Sequence, residues 1–205
     1  MKLYYMPGAC SLADHIVLEW IGKPYRAQKM SREAIKSPEY LALNPAGAVP
    51  VLEEDDGWIL TQNIAILTYL ADSNPKAKLM GDGSPRGRAE VMRWLGFLNS
   101  DVHKAFLPIF APQAFLADAS RHEELKENAR RTVGTLLGRL DGQLDGHDWL
   151  VGSQRSLADP YLLVMLRWAD KVAGGLDGFA SLKRFHGLIQ EDKGVRKVLE
   201  EEGLA

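Results

Sequence analysis

The sequence predicts an α/β domain of order βαβ-α-ββα followed by an all-helical domain. Three observations carry this. Short strand-like runs alternate with helical patterns through the first quarter of the chain, Asn74-Pro75 closes the last of those helices, and beyond it strand signals give way to long amphipathic stretches. The boundaries follow: residues 1–75 form the first domain, 76–84 a linker and 85–205 the second domain.

Lys2 to Tyr5, short and aromatic-rich, reads as the first strand, and Pro7-Gly8 turns the chain. Leu12, Ile16, Val17, Trp20 and Ile21 then recur at helical spacing, and Gly22 ends a helix begun near Ser11. Tyr25 to Met30 reads as a second strand, and Pro38 to Leu43 as a short helix before the turn Asn44-Pro45-Ala46-Gly47. Val49-Pro50-Val51-Leu52 and Trp58-Ile59-Leu60 flank Glu54-Asp55-Asp56-Gly57, a hairpin signal. Ile64, Leu67, Thr68 and Ala71 form the inner stripe of a helix that stops at Asn74-Pro75, because the residue before proline disfavours helical backbone. In the second domain the spacing predicts helices over 85–110, 120–144, 156–172, 179–191 and 194–202, separated by glycine turns. Ser156-Leu157-Ala158-Asp159 fits a capping box: Ser156 accepts from a helix amide and Asp159 reaches back to the Ser156 amide.

Composition excludes several functions. With 25 basic and 27 acidic residues the net charge is -2, without the positive excess of a nucleic-acid binder. Apolar stretches such as Tyr161 to Leu166 fall far short of the ~20 residues that span a bilayer. No membrane partner is expected. The opening residues lack a secretory pattern, so a cytoplasmic location is expected. A single cysteine forbids a disulfide within the chain. The five histidines include no helical i,i+3 or i,i+4 pair, and no metal site is expected.

Three places could carry chemistry. Cys10 follows a strand and a Pro-Gly turn at the start of a helix, where free amides and the helix dipole lower a thiol pKa, with the Ser11 hydroxyl beside it. The plainer reading is a small buried cysteine and a capping serine. Val49-Pro50 opens a strand after a helix and loop, where thioredoxin-like folds place a cis-proline that frees the preceding backbone for an extended ligand; an ordinary trans proline is the alternative. Gln62-Asn63 opens a helix whose exposed amides can take a carboxylate, or Thr61 or Asn63 simply caps it. On the helix beginning the second domain, Asn99, His103, Phe106 and Phe110 share one face.

The opening Met1-Lys2-Leu3-Tyr4-Tyr5-Met6-Pro7-Gly8-Ala9-Cys10-Ser11-Leu12-Ala13, the segment Asn44 to Pro50, the helix Ala65 to Leu70 and the capping box together resemble bacterial beta-class glutathione transferases, over essentially the whole chain. The resemblance implies a thioredoxin-like N-terminal domain that binds glutathione, a helical domain that supplies a pocket for an apolar electrophile, and a homodimer. It places Cys10 against the glutathione sulfur, in contact or in a mixed disulfide, with Ser11 near it and Tyr5 at the end of the first strand. Val49 pairs with the cysteinyl backbone, and Pro50 is the cis-proline. His103, in a histidine-lysine pair, approaches the cysteine. Lys36, or Arg32, stands for the family lysine after the second strand.

Gln62 and Asn63 fall where the family has a glutamate and a serine or small residue holding the γ-glutamyl end, so a charge toward the ligand ammonium is lost. Gly96 replaces an asparagine that acts across the dimer, for which Asn99 is the candidate substitute. Phe106, Phe110 and Trp168 are candidates for the electrophile pocket. The expected activity is attack by a glutathione thiolate on an apolar electrophile, with thiol–disulfide exchange through Cys10 as a second capability. The alternatives are a non-catalytic ligand- or protein-binding member of the fold, suggested by the three departures, and a glutathione-dependent isomerase or dehalogenase.

Overall fold

The computed structural model describes residues 1–205. The first domain contains β1 (Lys2–Tyr5), α1 (Ser11–Ile21), β2 (Arg26–Lys29), α2 (Pro38–Leu43), β3 (Val51–Glu53), β4 (Ile59–Thr61) and α3 (Asn63–Asp72). The second contains α4 (Pro85–Phe97), α5 (His103–Phe110), α6 (His122–Gln143), α7 (Ala158–Val172), α8 (Ala180–Gln190) and α9 (Lys193–Glu202).

The sheet order is β2-β1-β3-β4, with β1 parallel to β2 and antiparallel to β3, and β4 antiparallel to β3. Strand periodicity divides its side chains between two faces. Leu3 and Leu52 enter the main core with Leu12, Ile16 and Leu67 of α1 and α3, whereas Tyr4 and Val51 form a smaller cluster with Ile35 and Tyr40. Helix α1 ends as its sequence dictates: Gly22 adopts φ 73° and returns its N–H to the Leu18 carbonyl.

Helix α7 is buried at every position from Ala158 to Leu166, and it packs against α1 as well as against α4 and α8. A single apolar core therefore runs through both domains and fixes the second against the foot of α1. The predicted capping box forms at its start: the Ser156 amide donates to Asp159 Oδ2 at 2.6 Å and the Ala158 amide to Ser156 Oγ at 3.3 Å.

The helix read as 85–110 runs unbroken over those residues but changes its winding part-way. A π-helical turn over Leu98–Val102 separates α4 from α5. Such wide turns concentrate at functional sites. Here Asn99 lies within the turn and His103 directly follows it, and both meet the same Tyr161 hydroxyl on α7.

Candidate active site

The turn before Cys10 needs Gly8, whose φ of 70° lies in the left-handed region. Ser11 closes this turn. It is fully buried, and its Oγ accepts from the Met6 amide at 3.2 Å and donates to the Met6 carbonyl at 3.4 Å. Its hydroxyl is thus engaged with the turn, where the sequence reading placed it beside the sulfur. Cys10 Sγ donates to the Val49 carbonyl at 3.6 Å. The two share a cavity of about 160 Å³ lined also by Pro50, Gln62, Asn63, Asn99, His103 and Tyr161.

Electrostatics overturn the expectation of a lowered thiol pKa. Burial pushes the Cys10 thiol up to about 12, the Asp14 carboxyl adds to the rise, and the Ser11 and Cys10 amides only partly oppose it. The helix start acts in the expected direction but is outweighed by desolvation, so Cys10 is a thiol at neutral pH.

The Val49-Pro50 bond is cis. The preceding loop is held by two donors to the Ala48 carbonyl, Asn44 Nδ2 at 2.7 Å and Tyr40 Oη at 2.9 Å. The Val49 N–H has no partner within the chain. Across the cavity, Gln62 precedes α3 with φ 75°, and no side chain caps the helix, so its first-turn amides are free. Asn63 turns its side chain inward against the completely buried Asp14 carboxyl. With its nitrogen facing inward it donates to Asp14 Oδ2 at 2.7 Å and Oδ1 at 3.2 Å.

The far wall comes from the second domain. Tyr161 Oη donates to Asn99 Oδ1 at 3.1 Å and lies 2.7 Å from His103 Nδ1. Burial lowers the His103 pKa to about 4, so its imidazole is neutral at physiological pH. The arrangement brings the Cys10 thiol and the neutral His103 imidazole into the lining of one cavity, together with an unpaired backbone amide and an uncapped helix start.

Residues 9–73 match the family described as "Glutathione S-transferase, N-terminal domain" and residues 98–190 that described as "Glutathione S-transferase, C-terminal domain". A glutathione S-transferase of Xanthomonas campestris pv. campestris is 47% identical over the full length of both chains. The chain belongs to the glutathione transferase family. A solved glutathione S-transferase from Xylella fastidiosa superposes with a TM-score of 0.95 at 47% identity, covering 100% of this chain and 99% of that one. A sphingomonad glutathione S-transferase complexed with glutathione gives 0.88 at 40%, and a bacterial beta class enzyme of Sphingomonas chungbukensis 0.89 at 39%, each over the whole of both chains.

Tyr5, Lys36, Phe106, Phe110 and Trp168 of this transferase lie outside that lining, whereas Asn99 is part of it. Tyr5 is buried against the His15 ring, 5.0 Å between centroids, and lines a separate outer cleft with Tyr25 and Lys197. Lys36 Nζ donates to the Gly47 carbonyl at 2.9 Å, bracing the loop that leads to Val49. Phe106 is fully buried, so its side chain cannot line an open pocket. Its ring packs on Phe110 and Trp168, and Phe110 remains 45% exposed. Trp168 also donates its indole N–H to the Gly8 carbonyl at 2.8 Å. Asn99 is engaged with Tyr161 of its own chain.

Sequence reasoning missed Asp14, Tyr161 and Glu202. Glu202 is fully buried in its side chain, accepts from the Gly8 amide at 2.9 Å and meets His15 Nδ1 at 2.9 Å, so the last helix clamps the turn before Cys10. Only Asp14 carried a signal: a carboxyl on the first turn of a helix, beside the apolar stripe of Leu12, Ile16 and Val17.

Proposed function

We propose that this transferase binds reduced glutathione in the Cys10 cavity and conjugates its sulfur to an apolar electrophile. The observation that carries the reading is the meeting, in one cavity, of the Cys10 thiol, the unpaired Val49 amide and the uncapped start of α3. An extended γ-glutamyl tripeptide matches that set: its carboxylate takes the α3 amides, its cysteinyl backbone takes Val49, and its sulfur reaches Cys10. Glutathione bound to the sphingomonad relative supports the choice of ligand.

The resting Cys10 holds its proton, so its S–H donates to the bound sulfur, stabilising the thiolate that forms when glutathione releases its own proton to solvent. The thiolate then attacks an electrophilic carbon, forming the C–S bond as the leaving group departs with its electron pair. The exposed side of Phe110 and the Trp168 ring beside His103 supply an apolar approach for that electrophile. Thiol–disulfide exchange through Cys10 is the minor activity, because the attacking species in exchange is the thiolate. The working unit is a cytoplasmic homodimer.

Turnover of an activated aryl chloride by the purified protein with reduced glutathione tests this reading. Thioether formation that survives in Cys10→Ala at a reduced rate is the expected result, and no turnover across a panel of aryl, alkyl and epoxide electrophiles would overturn it. Light scattering of the same preparation checks the dimer.

A further inference from the structure

Native chains seldom leave a buried polar atom without a partner. Three such side-chain atoms occur here: Trp94 Nε1, His186 Nε2 and His15 Nε2. The His15 side chain is wholly buried, and it lines the outer cleft of about 610 Å³ that Tyr5 and Tyr25 also line. That cleft and the Cys10 cavity have no lining residue in common.

Glu202 decides which nitrogen of His15 faces the cleft. Its carboxylate accepts from the Gly8 amide through Oε2 and from His15 Nδ1 through Oε1, at 2.9 Å each. A neutral ring with its hydrogen on Nδ1 offers Nε2 as a bare acceptor. Nε2 lies 3.3 Å from Oε2 of Glu201, a residue of the cleft wall, and the two are out of line for a hydrogen bond. A lone pair and a carboxylate oxygen thus face each other with no donor between them. The other oxygen of Glu201 faces Lys197 Nζ at 3.9 Å, and that ammonium is held more closely by Glu19, at 2.8 Å. Tyr5 is buried in the same wall, and its hydroxyl makes no hydrogen bond within the chain.

Charge selects what fills this gap. Glu19 and Glu201, with Glu202 behind His15, outnumber Lys23 and Lys197, so an anion would meet more repulsion than attraction. The rings of Tyr5 and Tyr25 lie 5.0 and 5.7 Å from the His15 ring and add faces that attract cations. The bare Nε2 asks for an N–H as well as a charge, and a primary ammonium carries three donors on one centre. The Lys197 side chain is 55% exposed, so a small cation can displace it into solvent.

We propose that the cleft between α1 and α9 binds a small primary amine in its ammonium form, which donates to His15 Nε2 and to the Glu201 carboxylate. The site stands apart from the glutathione reading and does not depend on it.

Nitrogen NMR of ring-labelled histidines in the full-length protein, titrated with n-butylammonium chloride near neutral pH and at constant ionic strength, tests the proposal. Single glutamine substitutions assign the other four histidines and leave the buried His15 intact. The expected result is a bare His15 Nε2 in the free protein, whose signal shifts and saturates with a midpoint on the order of 10 mM or lower. Tetramethylammonium, a cation without an N–H, leaves that signal unmoved. Glu201→Gln weakens binding at least tenfold, whereas Lys197→Ala, which removes a competing ammonium, tightens it severalfold; both residues are part-exposed, and cooperative thermal unfolding certifies each variant as folded. A His15 ring with hydrogen on both nitrogens in the free protein, no saturable shift, an equal response to tetramethylammonium, or weaker binding in Lys197→Ala overturns the proposal.

Discussion

Alkylation of Cys10 measures the electrostatics of the site directly, because it is the only cysteine in the chain. Burial moves its thiol from 9.0 to about 12. At any pH below both values the thiolate fraction falls tenfold for each unit, which makes it roughly 1,000-fold smaller than for a free cysteine. Iodoacetamide reacts with the thiolate, so the second-order rate at neutral pH should fall about 1,000-fold below that of a small thiol of ordinary pKa. Following the rate with pH by mass spectrometry should show it still climbing above pH 10. A rate within tenfold of the free thiol at neutral pH, or a plateau by about pH 9, refutes the assignment of Cys10 as a resting thiol and removes the ground for placing thiol–disulfide exchange below conjugation.

Three further outcomes follow from particular contacts. Asp159→Ala removes the acceptor for the buried Leu150 and Ser156 amides, so stability should fall by about 3 kcal/mol, read as a drop of roughly 6–12 °C in the unfolding midpoint. Gln62→Gly relieves a backbone held at φ 75°, which should raise stability by about 1 kcal/mol while weakening glutathione binding severalfold in a titration. Asp14 binds its proton more tightly in the folded chain than in the unfolded one; its contribution is therefore fully present below the ordinary carboxylate pKa and is lost as pH rises toward the raised folded value. Asp14→Asn does not lose it, so denaturant unfolding should show the variant gaining on the wild type as pH rises, and a pH-independent difference would contradict the assignment.

Local patterns were legible where one segment decides its own structure. The stripe of α1 and its Gly22 stop, the hairpin around Gly57, and the capping box all follow from neighbours within a few residues. The uncapped start of α3 was legible as an open alternative for the same reason. The π turn at Leu98–Val102 was hidden, since its residues fit a helical spacing as well as their neighbours do. Long-range contacts were hidden too. Nothing in Glu202 announces that it reaches the Gly8 amide, and nothing in Tyr161, embedded in an apolar run, announces a hydroxyl that joins His103 to Asn99. The thiol pKa was misjudged for a related reason: the helix start is visible in sequence, whereas the burial that outweighs it comes from the assembled domains. Asn63 was read as facing the ligand, and its partner Asp14 is 49 positions away, so only the packing of α1 on α3 shows that the side chain is turned inward.

A calorimetric titration of reduced glutathione into the reduced protein tests the central claim most directly. The cavity formed by Cys10, Val49 and the start of α3 predicts saturable binding with a dissociation constant below about 1 mM, equivalent to roughly 4 kcal/mol or more, lost on addition of a non-hydrolysable S-alkyl glutathione competitor. No saturable heat at that level would contradict it, and would mean that an uncharged Gln62 and an inward-facing Asn63 have removed this ligand from the site.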